Sequence, residues 1–370
     1  MKPTNPIRTR SFPALCAALA FTLTGCLNQE DKIETAPDKT FVFAVTSDYK
    51  TGSYSLFGLD SAFTRTNVEA IHSDAAVRWH GGDDIIIINR LKRDNLQIVD
   101  KHNLKTVLPI SLPALSNPYD VEVLDGKIYV AMLACDSILI FNQKDGTPAG
   151  AIDIHAYADA DGFAEASALK FVDGTLYAIL AILDAKAFFA PLPNPKILKI
   201  DVKSGKVTKA LDLPFTNPAG IAWDSAGGKL YIPCIGEYTE SDFFTLKLDG
   251  GIATIDLAAF TASPLISEKD LGGNVGAASF HAGKLIFDLG SAGAEKITAL
   301  TVATKAATTI VSLDAYASGG LAVDAQTNTL CVGDRGKGKG LRLFDLDTFK
   351  ERAASNIDLG LPPTSLAIIR

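Results

Sequence analysis

The segment Asn117–Asn142, NPYDVEVLDGKIYVAMLACDSILIFN, contains three short apolar runs in succession. Leu-Asp-Gly-Lys joins the first two runs, and the third run ends in a polar residue. Asp-Gly supplies the positive-φ residues that a tight hairpin turn requires, and Ile, Val, Leu and Tyr are typical of strands. The segment therefore predicts consecutive antiparallel strands joined by tight turns.

Related units recur along the chain and begin near residues 75, 117, 166, 217, 276 and 318. Their third runs, together with the first fragment of the chain, end at Asp60, Asp100, Asn142, Asp201, Asp256, Thr301 and Asp345. These ends are 40 to 59 residues apart. A hairpin module of three strands with one further edge strand has this size in the blades of β-propellers.

Two fragments remain outside the six units. Residues 41–60 have the character of a second and a third strand, and residues 363–370 have the character of a first strand. Pairing of the two fragments would complete a seventh blade and remove the free sheet edges of an open array. The sequence therefore predicts an all-β fold, a seven-bladed β-propeller over residues 41–370 that is closed by pairing of its N- and C-terminal strands.

The first residues have the pattern of a targeting segment. Residues 1–10 carry Lys2, Arg8 and Arg10 without an acidic residue, and residues 11–23 are mostly apolar. A basic region, a short apolar stretch and small residues before a cleavage site predict a secretory signal over residues 1–25. Residues 26–40 are largely polar and predict a flexible tether after Cys26.

Leu23-Thr24-Gly25-Cys26 resembles the lipobox of bacterial lipoproteins. The resemblance implies cleavage before Cys26, lipid attachment to this residue and anchoring to the membrane of the bacterial cell envelope. Leu27 follows the cysteine, and by the same resemblance this favours the outer membrane. The alternative is an ordinary signal peptide with a chance cysteine.

The stretches NPYDVEVLDGKIYVA (117–131) and NRLKRDNLQIVD (89–100) resemble the YVTN-repeat, YncE-like seven-bladed propellers of bacteria. The resemblance covers most of residues 75–345. Such propellers include surface-layer proteins, substrate-binding modules and lactonases. The resemblance implies a binding or scaffolding module for a protein or a small ligand. The alternative is a lactonase-like hydrolase, with Ca²⁺ as its cofactor in the central channel.

Composition and motifs narrow the function classes. With 35 Lys and Arg against 42 Asp and Glu, the chain has a formal charge of −7, which argues against nucleic acid as its main partner. GxSxG, HExxH and dinucleotide-binding patterns are absent from the sequence, so no catalytic residue is predicted. Cys135, Cys234 and Cys331 follow apolar runs and are expected to be buried thiols, with one disulfide as the alternative.

Two expanded loops, at 183–195 and 234–250, are the main candidates for a ligand or partner surface. They belong to consecutive units, and long loops in compact folds are often functional. Aromatic side chains on these loops suit a protein partner or an apolar ligand, or they form a small satellite core of their own. The candidate binding residues are Phe188, Phe189, Tyr238, Phe243 and Phe244, with Arg90 and Arg335 on the corresponding loops of other units.

The loops that lead into the first strands carry oxygen-bearing side chains that would face the axis of a propeller. Asp120, Glu165, Asn217 and Asn274 are the candidate metal ligands of the hydrolase alternative. Carboxylate and amide oxygens are the ligands that Ca²⁺ prefers. The structural alternative is that these residues cap turns through bonds to nearby backbone N–H groups.

Overall fold

A computed structural model describes residues 39–184, 190–239, 242–291, 293–336, 340–352 and 356–370. The signal segment, Cys26 and the tether up to residue 38 lie outside these ranges, so the predictions made for them are not addressed by the structure.

The described chain forms seven blade sheets and two separate two-stranded hairpins. The closing blade contains β1 (Phe41–Ser47), β2 (Gly52–Gly58), the short β3 (Thr64–Arg65) and β4 (Ala70–Ile71), and the last strand, β32 (Pro363–Ile369). Blade 1 contains β5 (Ala75–Trp79), β6 (Asp84–Asn89), β7 (Asn95–Asp100) and β8 (Thr106–Ser111). Blade 2 contains β9 (Pro118–Leu124), β10 (Lys127–Met132), β11 (Ser137–Asn142) and β12 (Pro148–Asp153).

Blade 3 contains β13 (Ala166–Val172), β14 (Thr175–Leu180), β17 (Lys196–Asp201) and β18 (Lys206–Asp212), and a separate hairpin, β15 (Leu183–Asp184) with β16 (Ala190–Pro191), lies within it in sequence. Blade 4 contains β19 (Ala222–Asp224), β20 (Lys229–Cys234), β23 (Gly251–Asp256) and β24 (Thr261–Ser267), with the hairpin β21 (Tyr238–Thr239) and β22 (Asp242–Leu246) between them. Blade 5 contains β25 (Asn274–His281), β26 (Lys284–Ser291), β27 (Ala294–Thr301) and β28 (Ala306–Asp314). Blade 6 contains β29 (Ser318–Asp324), β30 (Thr329–Asp334) and β31 (Gly340–Asp345).

The two ends of the described chain meet in the closing blade. β1 lies between β2 and β32, and Phe41 is opposite Ile369 in an antiparallel register. The predicted pairing of residues 363–370 with the segment that starts at Phe41 is therefore confirmed, and so is the seven-bladed architecture.

Apolar clusters fill the spaces between neighbouring blades, and their number shows that the ring is closed. Seven clusters each join one pair of adjacent blades, including blade 6 with the closing blade and the closing blade with blade 1. Because side chains alternate between the two faces of a strand, each inner strand serves two clusters. In β6, Ile85 and Ile87 face the closing blade, whereas Ile86 and Ile88 face blade 2.

The turns between first and second strands have the geometry that their residues predict. Asp125-Gly126 and Asp173-Gly174 all have positive φ angles, between 48° and 73°. An Asp-Gly pair adopts this backbone at low cost, because glycine has no Cβ and aspartate tolerates the left-handed region.

The structure departs from the regular repeat in blade 6, where the described residues form only three strands. Isolated bridges from Leu341 to Ile357 and from Phe344 to Glu351 stand where a fourth strand would lie. The two expanded loops are not irregular but contain the small hairpins β15–β16 and β21–β22.

Within the described residues, helical structure is limited to η1 (His155–Tyr157) and α1 (Glu268–Leu271). In the described ranges no helix has the length and apolar character needed to cross a bilayer.

The three cysteines of the described chain are unpaired thiols. Cys234 and Cys331 are fully buried in different clusters between blades, and Cys135 is half-buried. Burial raises the pKa of all three thiols, which keeps them protonated and poorly reactive.

Candidate functional site

The innermost strands of the blades enclose a cavity of about 370 Å³ at the centre of the ring. This volume is within the usual range for small-molecule sites, which is roughly 300–1,000 Å³. Residues from blades 1, 2 and 3 form one wall of the cavity, namely Arg78, Trp79, His80, Tyr119, Asp120, Glu122, Ser167, Ala168, Leu169 and Lys170. Residues from blades 4, 5 and 6 form the other wall, namely Ala219, Gly220, Ile221, Ala277, Ala278, Ser279 and Leu321.

The first wall is charged because β5, β9 and β13 contribute Arg78, Asp120, Glu122 and Lys170 to it, and His80 follows β5. Asp120 lies on β9, between the other two strands. Its Oδ1 accepts a hydrogen bond of 2.6 Å from Arg78 Nε, and its Oδ2 accepts one of 2.9 Å from the backbone N–H of Leu169. The Asp120 carboxylate thus links blades 1, 2 and 3 at the cavity.

Glu122 makes the second link, two residues further along β9. Its Oε1 accepts a hydrogen bond of 2.8 Å from Lys170 Nζ, and the backbone N–H of Phe171 donates to Oε2 at 3.4 Å. His80 Nδ1 lies 3.8 Å from Glu122 Oε1. Since Asp120 and Glu122 alternate with Val121 and point to the same side, the wall carries a ladder of opposite charges.

His80 is neutral near pH 7 in this environment. Burial lowers the pKa of its imidazole below the ordinary value, although the Glu122 carboxylate acts in the opposite direction. A neutral imidazole keeps one nitrogen that can accept a hydrogen bond or a proton.

Two buried polar atoms of the cavity wall have no hydrogen-bond partner among the described residues. They are His80 Nε2 and Ser167 Oγ. Buried polar groups are nearly always hydrogen-bonded, because an unmet group costs about 1–3 kcal/mol. Both residues line the cavity, and the two unmet atoms are buried within its wall.

The opposite wall offers space and few polar side chains. Ala219, Gly220, Ala277 and Ala278 are small, so they leave room on that side of the cavity. A molecule in the cavity would meet charged and aromatic groups on one side and short side chains on the other. Trp79 belongs to the charged wall. It also lines a second cavity of about 310 Å³ towards β32.

The four candidate metal ligands are engaged in different ways. Asp120 is paired with Arg78, as described above. Asn274 Nδ2 donates to Glu268 Oε2 at 2.9 Å and to the backbone carbonyl of Lys247 at 3.1 Å. Asn217 has a positive φ of 58° and a buried Nδ2 for which the described part of the chain offers no acceptor.

Glu165, the fourth candidate, lies at the start of β13 beside two other carboxylates. In the described chain, Asp159, Asp161 and Glu165 are the one set of at least three His, Cys, Asp or Glu side chains close enough to share an ion. The structure therefore brings Glu165 together with Asp159 and Asp161, and does not bring Asp120 into that group.

The two candidate arginines make contacts within the protein. Arg90 Nη2 donates to Asp74 Oδ1 at 2.6 Å, and its guanidinium lies 5.1 Å from the centre of the Tyr119 ring. Arg335 Nη1 donates to the carbonyl of Pro363 at 2.8 Å and thereby joins blade 6 to the closing blade. Their role in binding an external partner stays a prediction.

The aromatic candidates fall outside what the structure describes. Phe188 and Phe189 are not among the described residues, and for Tyr238, Phe243 and Phe244 the description is limited to the backbone of β21 and β22. The proposed contact surface on these loops thus stays a prediction as well.

Sequence analysis did not identify Arg78, His80, Glu122, Ser167 or Lys170 as members of a site. A signal for them exists in the sequence, because each is a polar residue within or next to an otherwise apolar first run. What the sequence could not supply is the convergence of three runs that are more than 40 residues apart.

Three solved structures are similar to this chain in fold. Hydrazine synthase of Kuenenia stuttgartiensis is 14% identical with a TM-score of 0.60, over 83% of this chain and 99% of that chain. A Bacteroides fragilis protein, described as a candidate 6-phosphogluconolactonase, is 12% identical with a TM-score of 0.61, over 90% of this chain and 99% of that chain. AztD of Citrobacter koseri, in its apo form, is 15% identical with a TM-score of 0.52, over 90% of this chain and 98% of that chain.

At these identities the similarity establishes the propeller fold and nothing about activity. No protein-family model matches the sequence. No curated protein matches it either.

Proposed function

We propose that this chain is a lipid-anchored envelope protein whose propeller binds a small polyhydroxylated molecule, a sugar or a sugar acid, in the central cavity. The observation that carries the proposal is the pair of unmet polar atoms, His80 Nε2 and Ser167 Oγ, in the wall of one cavity. Anchoring is supported by Leu23-Thr24-Gly25-Cys26 and by the basic and apolar residues that precede it.

The chemistry of the cavity favours hydroxyl groups as ligands. A hydroxyl group both donates and accepts hydrogen bonds, so it suits a neutral imidazole nitrogen and a serine hydroxyl at once. Lys170 and Arg78 keep donors to spare after pairing with carboxylates, and they suit the carboxylate of a sugar acid. Trp79 and Tyr119 supply aromatic surface beside these polar groups.

Tryptophan fluorescence provides a direct test, because the chain has only two tryptophans. In a Trp223→Phe variant, Trp79 at the cavity is the single reporter. Titration with gluconate, glucuronate or glucose should change its emission in a saturable way for at least one of them. A Trp79→Phe variant keeps only Trp223, which packs between blades 3 and 4, and should give no signal.

Variants of the wall connect the signal to the site. In the Trp223→Phe background, His80→Gln and Lys170→Met should weaken binding at least tenfold. Lys199→Met removes the same charge from β17, a strand outside the cavity lining, and should leave binding unchanged. Absence of a response to all three probes, or equal binding by all variants, would contradict the proposal.

Membrane anchoring is tested separately with the full-length chain in a bacterial host. The protein should fractionate with membranes, and Cys26→Ser should release it or block its processing. Cys16→Ser, a change to the other cysteine of the N-terminal segment, should have no effect. A membrane fraction that is unaffected by Cys26→Ser would contradict lipid attachment at this residue.

A second candidate function is hydrolysis of a lactone. It is supported by His80, whose neutral ring has an unmet Nε2 in the cavity and a carboxylate 3.8 Å from its Nδ1. His80 would accept a proton from the attacking water and return it to the ring oxygen of the lactone as the C–O bond breaks. The fold similarity to the Bacteroides fragilis protein adds a reason to include phosphorylated sugar lactones among the substrates.

A lactone panel distinguishes this candidate from simple binding. Turnover by the wild-type chain that His80→Gln abolishes, with the fold unchanged, would support hydrolysis. Binding of sugar acids without turnover of any lactone would support the binding function and contradict lactone hydrolysis.

A further inference from the structure

A compact acidic turn leads into β13. It has the sequence Asp159-Ala160-Asp161-Gly162-Phe163-Ala164-Glu165 and follows η1. The three acids of this turn do not line the central cavity, although Ser167, two residues after Glu165, does.

The turn brings three carboxylates together. Asp159, Asp161 and Glu165 each present a carboxylate oxygen, and these oxygens all lie within 4.8 Å of one another. The backbone N–H of Asp161 donates to Asp159 Oδ1 at 2.8 Å, and that of Phe163 donates to Asp161 Oδ1 at 2.9 Å. These bonds position the two aspartates but do not by themselves indicate a ligand.

An independent observation at Glu165 does indicate one. The residue is 0% exposed, yet its Oε1 has no hydrogen-bond partner among the residues that the structure describes. Its Oε2 accepts one long bond, of 3.3 Å, from the backbone N–H of Leu183. A buried carboxylate with one unmet oxygen, beside two other acids, is costly in its charged form, so the group needs either a proton or a bound cation.

The proton affinity of the group agrees with this geometry. Burial raises the pKa of Glu165 to about 8, and the charges of Asp161 and Asp159 contribute further. Burial also raises the pKa of Asp159, with added effects from the carboxylates of Asp161 and Asp184.

We propose that Asp159, Asp161 and Glu165 bind a Ca²⁺ ion. The donor atoms are all oxygens. Soft metal ions prefer sulfur donors, so the site disfavours them. Oxygens bound to one Ca²⁺ at 2.3–2.6 Å can be up to about 5 Å apart, which matches the spacing in the group. Mg²⁺ requires shorter distances and near-ideal octahedral geometry, to which an irregular turn is poorly suited.

The proposed ion has a structural consequence for the neighbouring loop. The backbone N–H of Leu183, the first residue of β15, donates to Glu165 Oε2. A cation bound to the Glu165 carboxylate would therefore connect the acidic turn to the start of the β15–β16 hairpin. This site is independent of the proposed sugar binding, which uses other residues and another probe.

Calorimetry on the full-length chain in detergent, stripped with a chelator, tests the proposal. Titration with CaCl₂ should show one ion per chain, and Ca²⁺ at about 100 times its Kd should raise the melting temperature by about 4 °C. MgCl₂ and ZnCl₂ are the competing probes. Absence of both binding heat and thermal shift with Ca²⁺ would overturn the proposal, and tighter binding of Mg²⁺ or Zn²⁺ would overturn the assignment to Ca²⁺.

Variants identify the ligands and exclude misfolding. Glu165→Gln should weaken Ca²⁺ binding at least tenfold, while its melting temperature without metal should equal or exceed that of the wild type, because the buried carboxylate is gone. The double variant Asp159→Asn with Asp161→Asn should behave in the same way. Asp145→Asn with Asp201→Asn removes two comparable turn aspartates elsewhere and should bind as the wild type does. Unchanged affinity in Glu165→Gln would show that the ion binds elsewhere.

Discussion

The second strand of the closing blade, β1, and the innermost strand of blade 2, β9, differ in the use of alternate positions. All seven residues of β1 are buried, with Phe41 and Phe43 facing blade 1 and Val42 facing blade 6. In β9, by contrast, alternate positions carry Asp120 and Glu122. In β1, buried side chains on both faces pack against the neighbouring blades and close the ring. In β9, the charged side chains at alternate positions line the cavity in which we propose that a ligand binds.

Removal of β32 should have the largest effect of any change considered. Deletion of residues 363–370 exposes the edge of β1 and the apolar faces on both sides of it, so we expect loss of cooperative unfolding and of the soluble monomer. Leu366 and Ile369 are buried in β32, and burial of each contributes about 1.5–3 kcal/mol, a large part of the roughly 5–15 kcal/mol by which domains are typically stable. Circular dichroism during heating and size-exclusion chromatography measure the outcome.

The control for this deletion removes Arg370 alone. Arg370 contacts Asp324 but lies beyond the last paired residue of β32, so its loss should leave a cooperative transition. A truncated chain without residues 363–370 that still unfolds cooperatively at the wild-type temperature would show that the ring does not depend on this pairing.

Breaking a charge pair in the cavity wall should have the next largest effect. Lys170→Met leaves Glu122, which is largely buried, without its cationic partner, and we expect a loss of about 2 kcal/mol in the free energy of unfolding. Adding Glu122→Gln should recover most of the loss, since no charge is then left unpaired. Urea denaturation of the single and double variants measures the coupling; additive effects would contradict a direct pair.

The free energy of unfolding should depend on pH through a buried carboxyl group between blades 5 and 6. Ser318 donates to Asp288 Oδ1, and the backbone N–H of Ser318 donates to Glu295 Oε2. Burial raises the pKa of Asp288 to about 7, and Glu295 adds to the rise. Because the folded carboxyl group binds its proton more tightly than the unfolded one, stability is highest below about pH 4 for this group and falls as the pH rises towards 7.

The variant Asp288→Asn should flatten this profile. We expect it to be more stable than the wild type at pH 8, by about 1–2 kcal/mol, and no more stable at pH 4. Thermal unfolding across this pH range is the measurement. Parallel profiles for the two proteins would show that another group causes the dependence.

The smallest effect is expected for a charge pair outside the cavity. Arg90→Ala removes the pair with Asp74, in which both side chains are partly exposed, and should cost about 0.5 kcal/mol without a change in ligand binding. Arg78→Met, the corresponding change inside the cavity, should reduce binding of the sugar probe at least tenfold. Equal effects of Arg90→Ala and Arg78→Met on binding would contradict the assignment of the binding site to the central cavity.

The fold could be predicted from the sequence because its cause is local and repeated. Each Asp-Gly or Gly-Gly turn between two apolar runs identifies one hairpin. Six complete units leave the fragments 41–60 and 363–370, and these two fragments together predict a seventh blade. The reduced blade 6 and the two additional hairpins were not predicted, since their short strands lack a distinct apolar pattern.

The candidate site could be predicted only in part. Asp120 and Glu165 were recognised as residues near the axis, but the partners of Asp120 and Glu165 were not. Arg78 reaches Asp120 from another blade, and its register relative to β9 depends on packing between blades that no local pattern encodes. The group around Glu165 is local in sequence, and its Asp-x-Asp-Gly spacing was a signal that could have been used.

The antiparallel pairing of Phe41 with Ile369 also decides how the molecule can be oriented on a support. The innermost strands all run from their lead-in loops towards the tight hairpin turns, and β32 therefore ends on the hairpin side of the ring. A protein fused after Arg370 would therefore begin on the hairpin side of the ring, next to Phe41, whereas one inserted near residue 160 would begin on the opposite side, at the acidic turn.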